Sequence, residues 1–463
     1  MISRFVLVCI WVCISSVNLG ANNVLTDSLL NRLPNTSDEE KATTYLHISE
    51  AFRLTDLSLS IIYGDSAVSW AHESGDETLK ADILKSLGVS CYYNGEFDLA
   101  IDYYNQSMEA YRLIDNLSGI ARCLNNIGLV YEELGNFELS IDYFERSGEI
   151  GEQMNDQEWI AFVMLNLGNS HFYRGNMQQA INNYYHALLI FTDMDDKNSI
   201  GEACNNIGSV YNAWGESEKA LEYFERAREI YKITGDDRNL SKVLSNIAEI
   251  YNFYYKDYLK AKKLYEESLE IKIKLNDLIG IAMQNNNMGT LYANMEEFDK
   301  AQKYFVISMN LYQEMASQTG LVMVYYNMGK LYEQMQKTSE ALDYYKMSLN
   351  IARKIGQSDY IADNHEALFK CYAALGDYPN FNKHYKMFEI GNDTLVENLH
   401  RSQMLEMEAR FKVEQVVQQN MKLTEELHTI KNKVQKYRLI SFAFGGIIVF
   451  TLIFYFLYVI FRK

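Results

Sequence analysis

An asparagine stands at Asn126, Asn166, Asn206, Asn246, Asn287 and Asn327, in steps of 40 residues with one step of 41. A carboxamide donates and accepts hydrogen bonds at once. One per unit makes a ladder, and Asn125, Asn205 and Asn286 widen it at three of the rungs. Such a ladder has two uses. It can recognise a guest, or it can bridge neighbouring helices so that the amides satisfy one another.

Side chains arranged for covalent chemistry are missing from the pattern. There is no Gly-rich phosphate loop, no His-Glu-x-x-His metal motif and no Gly-x-Ser-x-Gly elbow. His72-Glu73 and His365-Glu366 look superficially like a phosphoacceptor histidine, but both fall inside the helical repeats and no nucleotide-binding glycine boxes follow. Cys91, Cys123, Cys204 and Cys371 are scattered without paired spacing, as buried thiols rather than disulfide or metal sites. The expectation is a noncatalytic chain with no cofactor and no metal.

The elements that carry the ladder repeat with it. Two residues after the asparagine come Gly88, Gly128, Gly168, Gly208, Ala248, Gly289, Gly329 and Phe369, small in seven units of eight. Three further on is a mostly aromatic column: Cys91, Tyr131, His171, Tyr211, Tyr251, Tyr292, Tyr332 and Tyr372. Past a turn marked by Gly95, Gly135, Gly175, Gly215 and Gly376, small residues return at Ala100, Ser140, Ala180, Ala220, Ala261, Ala301 and Ala341. Four residues later sits a ring: Tyr104, Phe144, Tyr184, Phe224, Tyr265, Phe305, Tyr345 or Tyr385.

Spacings of three, four and seven are helical. Each unit therefore reads as two antiparallel helices, with small residues allowing close approach and rings filling the volume between hairpins. Between Tyr251 and Ala261 the register is one residue longer than between Tyr211 and Ala220, which predicts a kink or altered turn there. A content of 2 Pro in 463 residues suits the helical reading.

These columns resemble the tetratricopeptide repeat, Leu-Gly-x-x-Tyr followed by Ala-x-x-x-Phe-x-x-Ala, over about residues 40–391. The long period is similar to that of kinesin light chains, spindle-orientation adaptors and bacterial Rap-type regulators. The resemblance implies an all-α, right-handed superhelical solenoid of eight to nine repeats whose inner groove binds a peptide or protein segment. It also implies that Asn126, Asn166, Asn206, Asn246, Asn287 and Asn327 hydrogen-bond the backbone of that guest. Asn125, Asn205 and Asn286 would join them, Tyr92, Tyr93, Phe172 and Tyr173 would add apolar contact, and Lys330 and Lys370 would lend positive charge. Relatives that clamp a C-terminal carboxylate need an asparagine where Val89 follows Lys85, so that mode is not expected.

A net charge of −18 argues against nucleic acid, which demands a basic stripe. At the N-terminus, Arg4, the apolar run 5–17 and the small residues Gly20 and Ala21 read as a signal peptide over 1–21. Residues 439–461 are uncharged and long enough for one transmembrane helix, with a two-residue tail at 462–463. The signal places the repeats in the periplasm. Lys431, Lys433, Lys436 and Arg438 favour the opposite orientation, a tail-anchored protein with cytosolic repeats.

Between solenoid and membrane, residues 392–438 form the expected stalk. Val413, Val416, Asn420, Leu423, Leu427, Ile430, Val434 and Tyr437 alternate by three and four. That is a coiled-coil pattern, in which Asn420 would fix the register of a parallel homodimer. The alternative is a single helix packed on the last repeat. The order of segments is similar to that of membrane-bound sensors of Gram-negative bacteria, but no output domain follows the membrane segment. Two readings result: a membrane-anchored module that binds a peptide or protein segment, with a role as the sensory part of a signalling system open to it, or a scaffold that assembles a membrane complex through its convex surface.

Overall fold

The computed structural model describes residues 28–390 and, beyond them, Lys433 alone. After a short 3-10 turn at Leu33–Asn35, α1 (Asp38–Phe52) and α2 (Leu57–Ser74) form a first antiparallel hairpin. The next are α3 (Glu77–Tyr93) with α4 (Phe97–Leu113), α5 (Leu117–Glu133) with α6 (Phe137–Met154), and α7 (Gln157–Tyr173) with α8 (Met177–Asp193). They continue as α9 (Lys197–Ala213) with α10 (Ser217–Thr234), α11 (Asp237–Phe253) with α12 (Tyr258–Lys274), and α13 (Leu278–Asn294) with α14 (Phe298–Glu314). The last are α15 (Gln318–Gln334) with α16 (Thr338–Ile355), and α17 (Ser358–Leu375) with α18, residues 378–390. No strand occurs among the described residues. The array is the all-α repeat solenoid expected from the columns.

Local chemistry sets each turn. Helices close on a residue in the left-handed region, glycine at Gly95 and Gly135 but Asp115, Asn155 and Ala316 elsewhere. The next residue then caps the following helix. Asn116 accepts from Gly119 N–H at 2.9 Å, and Asp156 accepts from Trp159 N–H at 3.0 Å.

The glycine column is a consequence of the ring column. A methyl group added at Gly128 would lie 2.7 Å from the Phe144 ring, and one at Gly168 would lie 2.4 Å from Tyr184. Gly88, Gly208, Gly289 and Gly329 face Tyr104, Phe224, Phe305 and Tyr345 in the same way. With no side chain in the way, those rings are almost wholly buried. The tyrosines three residues on stack inside the hairpin, Tyr131 on Tyr143 and Tyr292 on Tyr304, with ring centroids 5.4 and 5.3 Å apart. Serines in the second helices seal first-helix carbonyls: Ser107 donates to Ala81 O at 2.7 Å and Ser147 to Ala121 O at 2.8 Å.

The predicted irregularity is an altered turn. Four residues separate α11 from α12, where three separate α5 from α6, and Lys256 takes the left-handed conformation at φ 53°. The backbones of successive first helices approach one another closely, whereas successive second helices meet only through long side chains, as where the Tyr185 and Tyr223 hydroxyls lie 2.9 Å apart. The first helices therefore line the inside of the curve.

No helix among the described residues is long and apolar enough to cross a membrane. The expected signal peptide (1–21), stalk (392–438) with Asn420, membrane helix (439–461) and tail (462–463) lie, but for Lys433, outside the described residues.

Candidate binding groove

At roughly 100° per residue, the positions six before and one after the glycine column point the same way on each first helix. The first set is Asp82, Arg122, Phe162, Glu202, Lys242, Met283, Met323 and Asp363; the second is Val89, Leu129, Asn169, Ser209, Glu249, Thr290, Lys330 and Lys370. Arg122, Phe162, Glu202, Lys242, Met283 and Glu249 are solvent-exposed. Together they form the floor of the inner face.

The asparagine ladder flanks that floor along the seams between first helices. Asn166 donates its side-chain N–H to Asn125 Oδ1 at 2.8 Å, Asn246 to Asn205 Oδ1 at 2.9 Å, and Asn327 to Asn286 Oδ1 at 3.0 Å. Asn206 donates to Asn169 Oδ1 at 3.2 Å. Four of the six ladder amides thus spend a donor on the neighbouring helix. Asn126 and Asn287, half-buried, have no side-chain hydrogen bond among the described residues. Internal bridging, one of the two uses open from the sequence, is therefore present. It leaves the side-chain amides of Asn126 and Asn287 out of the bridging.

Other expected contributors are spread along the face. Tyr93 and Tyr173 are exposed on its turn-side rim. Phe172 meets Tyr173 edge-on, and Tyr92 donates to Glu133 at 3.3 Å. Lys330 lies over the Tyr326 ring, and Lys370 pairs with Glu366 at 2.6 Å.

A cavity of about 550 Å³ opens on the face between α3 and α9, lined by Lys85, Arg122, Asn126, Leu129, Trp159 and Phe162 among others. The Arg122 guanidinium stacks 5.0 Å from the Trp159 ring centroid. Trp159 is held in place by its Nε1–H, which donates to Ser147 Oγ at 3.1 Å. A second cleft, about 440 Å³, lies beside the altered turn and is lined by Asn252, Phe253, Tyr258, Asn294 and Phe298.

Sequence reasoning missed the floor acids. Burial between the surrounding helices pushes the Glu202 and Glu249 carboxyls up although both remain accessible, with Lys242 partly offsetting this at Glu202. The four described cysteines are free and buried, with thiols pushed up to about 11 by burial. No group of three or more His, Cys, Asp or Glu side chains among the described residues could hold a metal ion. His72 is exposed beside Glu77, and His365 is buried against His384 in the last hairpin.

The tetratricopeptide repeat family model matches residues 78–153, 159–233, 205–274 and 281–354. Among solved structures, the chain is similar to a Rap protein complexed with competence and sporulation factor, at 14% identity and a TM-score of 0.55, over 77% of this chain and 99% of that one. It is also similar to the Rap conjugation gene regulator of the plasmid pLS20 in complex with the Phr* peptide, at 15% identity and 0.53, over 73% and 96%. The apo quorum sensor NprR from B. thuringiensis matches at 15% identity and 0.51, over 73% and 99%. These likenesses show the fold. No curated protein matches the sequence.

Proposed function

The chain belongs to the tetratricopeptide repeat family, and on that footing we propose that it is a noncatalytic binding protein that takes an extended peptide or protein segment along its inner face. The supporting observation is the contrast between scaffold and floor. The columns that stack the hairpins keep one kind of side chain, small or aromatic, in nearly every unit, whereas the floor changes from Arg122 to Phe162 to Glu249 to Lys330. Side chains that vary on a regular frame read a guest residue by residue. Two of the structures with this fold are complexes, one with competence and sporulation factor and one with the Phr* peptide, which supports the same use of the frame here. Asn126, Asn166, Asn206, Asn246, Asn287 and Asn327 serve this reading as edges of the groove, through the amide groups that the seams do not use.

The localisation part of the proposal rests on sequence alone. Residues 439–461 anchor a single-pass protein, residues 1–21 direct the repeats to the periplasm, and the stalk with Asn420 pairs two copies in parallel. Protease accessibility of the repeats in intact cells separates this from the tail-anchored, cytosolic arrangement.

The binding reading is tested by recovering partners with the full chain and two sets of variants. Floor changes (Arg122→Gln with Lys242→Glu) are expected to abolish recovery, and outer second-helix changes (Glu145→Lys with Lys303→Glu) to leave it intact. The reverse pattern would move the interaction to the convex surface and make the protein a scaffold.

A further inference from the structure

The cavity between α3 and α9 sets a cation without a hydrogen-bonded partner beside exposed aromatic surface, a combination not shared by the other unpaired floor cations, Lys242 and Lys330, which line neither this cavity nor the cleft beside the altered turn. Arg122 is exposed, sits mid-helix in α5, and makes no hydrogen bond or ion pair with a described residue. Its guanidinium carbon lies over the Trp159 ring, 5.0 Å from the centroid, and its N–H groups have no acceptor among the described residues, so a planar carboxylate can take them as a bidentate pair.

The aspartates around it take their hydrogen bonds from other groups, although Asp82 also feels the Arg122 charge at longer range. Asp82 accepts from Lys85 at 2.6 Å and from Tyr111. Asp156 and Asp196 cap α7 and α9 through the backbone N–H groups of Trp159 and Ser199. Glu158, in the first turn of α7, sits where the helix dipole offsets a negative charge. Beside Arg122 the wall turns apolar: the Trp159 and Phe162 rings lie 5.4 Å apart, and Phe162 is 41% exposed. Asn126, one helical turn from Arg122, adds an amide without a partner of its own.

We infer that this cavity is the anchor of the groove and that its occupant is a peptide segment presenting an acidic side chain next to an aromatic one, the carboxylate on Arg122 and the ring on Trp159 and Phe162. The inference rests on the groove-binding proposal and adds the chemistry of the ligand. It requires an acidic side chain and an apolar neighbour together, because the guanidinium supplies charge-assisted hydrogen bonds and the exposed rings supply buried area.

The test uses the full chain and a panel of fluorescein-labelled decapeptides with a Gly-Ser background. Members carry Glu beside Phe, Gln beside Phe, Glu beside Ala, or Lys beside Phe, and binding is read by anisotropy. The Glu-Phe peptide is expected to bind at least about tenfold more tightly than its Gln-Phe partner, as loss of a charged hydrogen-bond pair implies. That preference should weaken with added salt. Arg122→Gln should erase the preference and Arg122→Lys should keep part of it, while circular dichroism remains unchanged. If Lys-Phe or Gln-Phe binds best and Arg122→Gln has no effect, the anchor assignment is overturned and the groove proposal stands. If no member binds although the protein is folded, both fall.

Discussion

Asn246 donates a side-chain N–H to Asn205 Oδ1 across 2.9 Å and so ties α11 to α9. The same bond ties Asn166 to Asn125 and Asn327 to Asn286, and the three acceptors are 80 and 81 residues apart. This bond recurs at every second hairpin, and between its first two occurrences Asn206 bridges α9 to α7 by donating to Asn169 instead. The seam is a stability feature first and a recognition feature second.

Asn125 and Asn166 are the most deeply buried of these pairs. Asn125→Ala leaves the Asn166 amide without its acceptor, and is expected to cost about 1–3 kcal/mol. Asn126→Ala removes no bond and should stay within about 0.5 kcal/mol. Urea denaturation of both variants decides the point. Equal losses would mean that the seam bond is not the source.

The turns give a second prediction, of opposite sign. Ala316 is held at φ 52° with a Cβ that the left-handed region disfavours, where other turns place glycine. Ala316→Gly is expected to stabilise the protein by about 1 kcal/mol. Gly135→Ala, at φ 71° with open space around it, should destabilise by a similar amount. A lower melting temperature for Ala316→Gly would show that the extra chain entropy of glycine outweighs the relieved strain.

The sequence reveals the frame and hides the floor for one physical reason. A residue needed to stack hairpins is needed in every hairpin, so Gly128 and Phe144 recur and announce themselves by period. A residue that meets a guest is needed once. Arg122, Phe162, Glu202 and Lys242 occupy equivalent positions with unrelated chemistry, and no period marks them. The asparagine ladder recurs with the frame, and four of its six amides bridge neighbouring helices. Lys272 was hidden in another way, as a charge in a column that elsewhere holds Tyr111, Phe191, Tyr231 and Tyr312.

The last hairpin carries a pH dependence. His365 Nδ1 lies 2.9 Å from His384 Nδ1, and Arg353 Nη2 lies 2.9 Å from His365 Nε2, with both rings buried. Lys346 and Arg353 on α16 and Lys383 on α18 face the pair, and Tyr372 stacks on His384. Burial, then the neighbouring cations, push His365 down to about 4 and His384 down from the ordinary 6.5. Below 6.5 the unfolded chain binds protons that the folded hairpin refuses, so stability falls as pH drops from 6.5 towards 4. After correction for the slower intrinsic exchange at low pH, the protection of residues 378–390 should fall selectively between pH 7 and pH 5. Unchanged relative protection would remove the histidine pair as the cause.

Lys272 gives the clearest test of what the scaffold tolerates. It is 6% exposed, and its Nζ donates to Ser268 Oγ at 2.8 Å, Ser245 Oγ at 2.9 Å and Gln284 Oε1 at 3.0 Å, with no carboxylate in contact. Burial pushes it down to about 8, Asp277 pulls it back and Lys242 adds to the fall. The folded pKa lies below the unfolded 10.5, so the unfolded chain holds the extra proton between the two values. Stability from this group therefore rises as pH climbs from about 8 towards 10.5, and below 8 the buried ammonium is a net cost. Lys272→Met would not orphan the acceptors: Ser268 still donates to Ser241 O at 2.7 Å, and Gln284 Oε1 still accepts from Ser245 at 2.7 Å. The variant should gain about 1–3 kcal/mol at pH 7 and lose the rise above pH 8. A loss of stability at pH 7 would instead show that the three hydrogen bonds outweigh desolvation, and that this polar contact holds α11, α12 and α13 together.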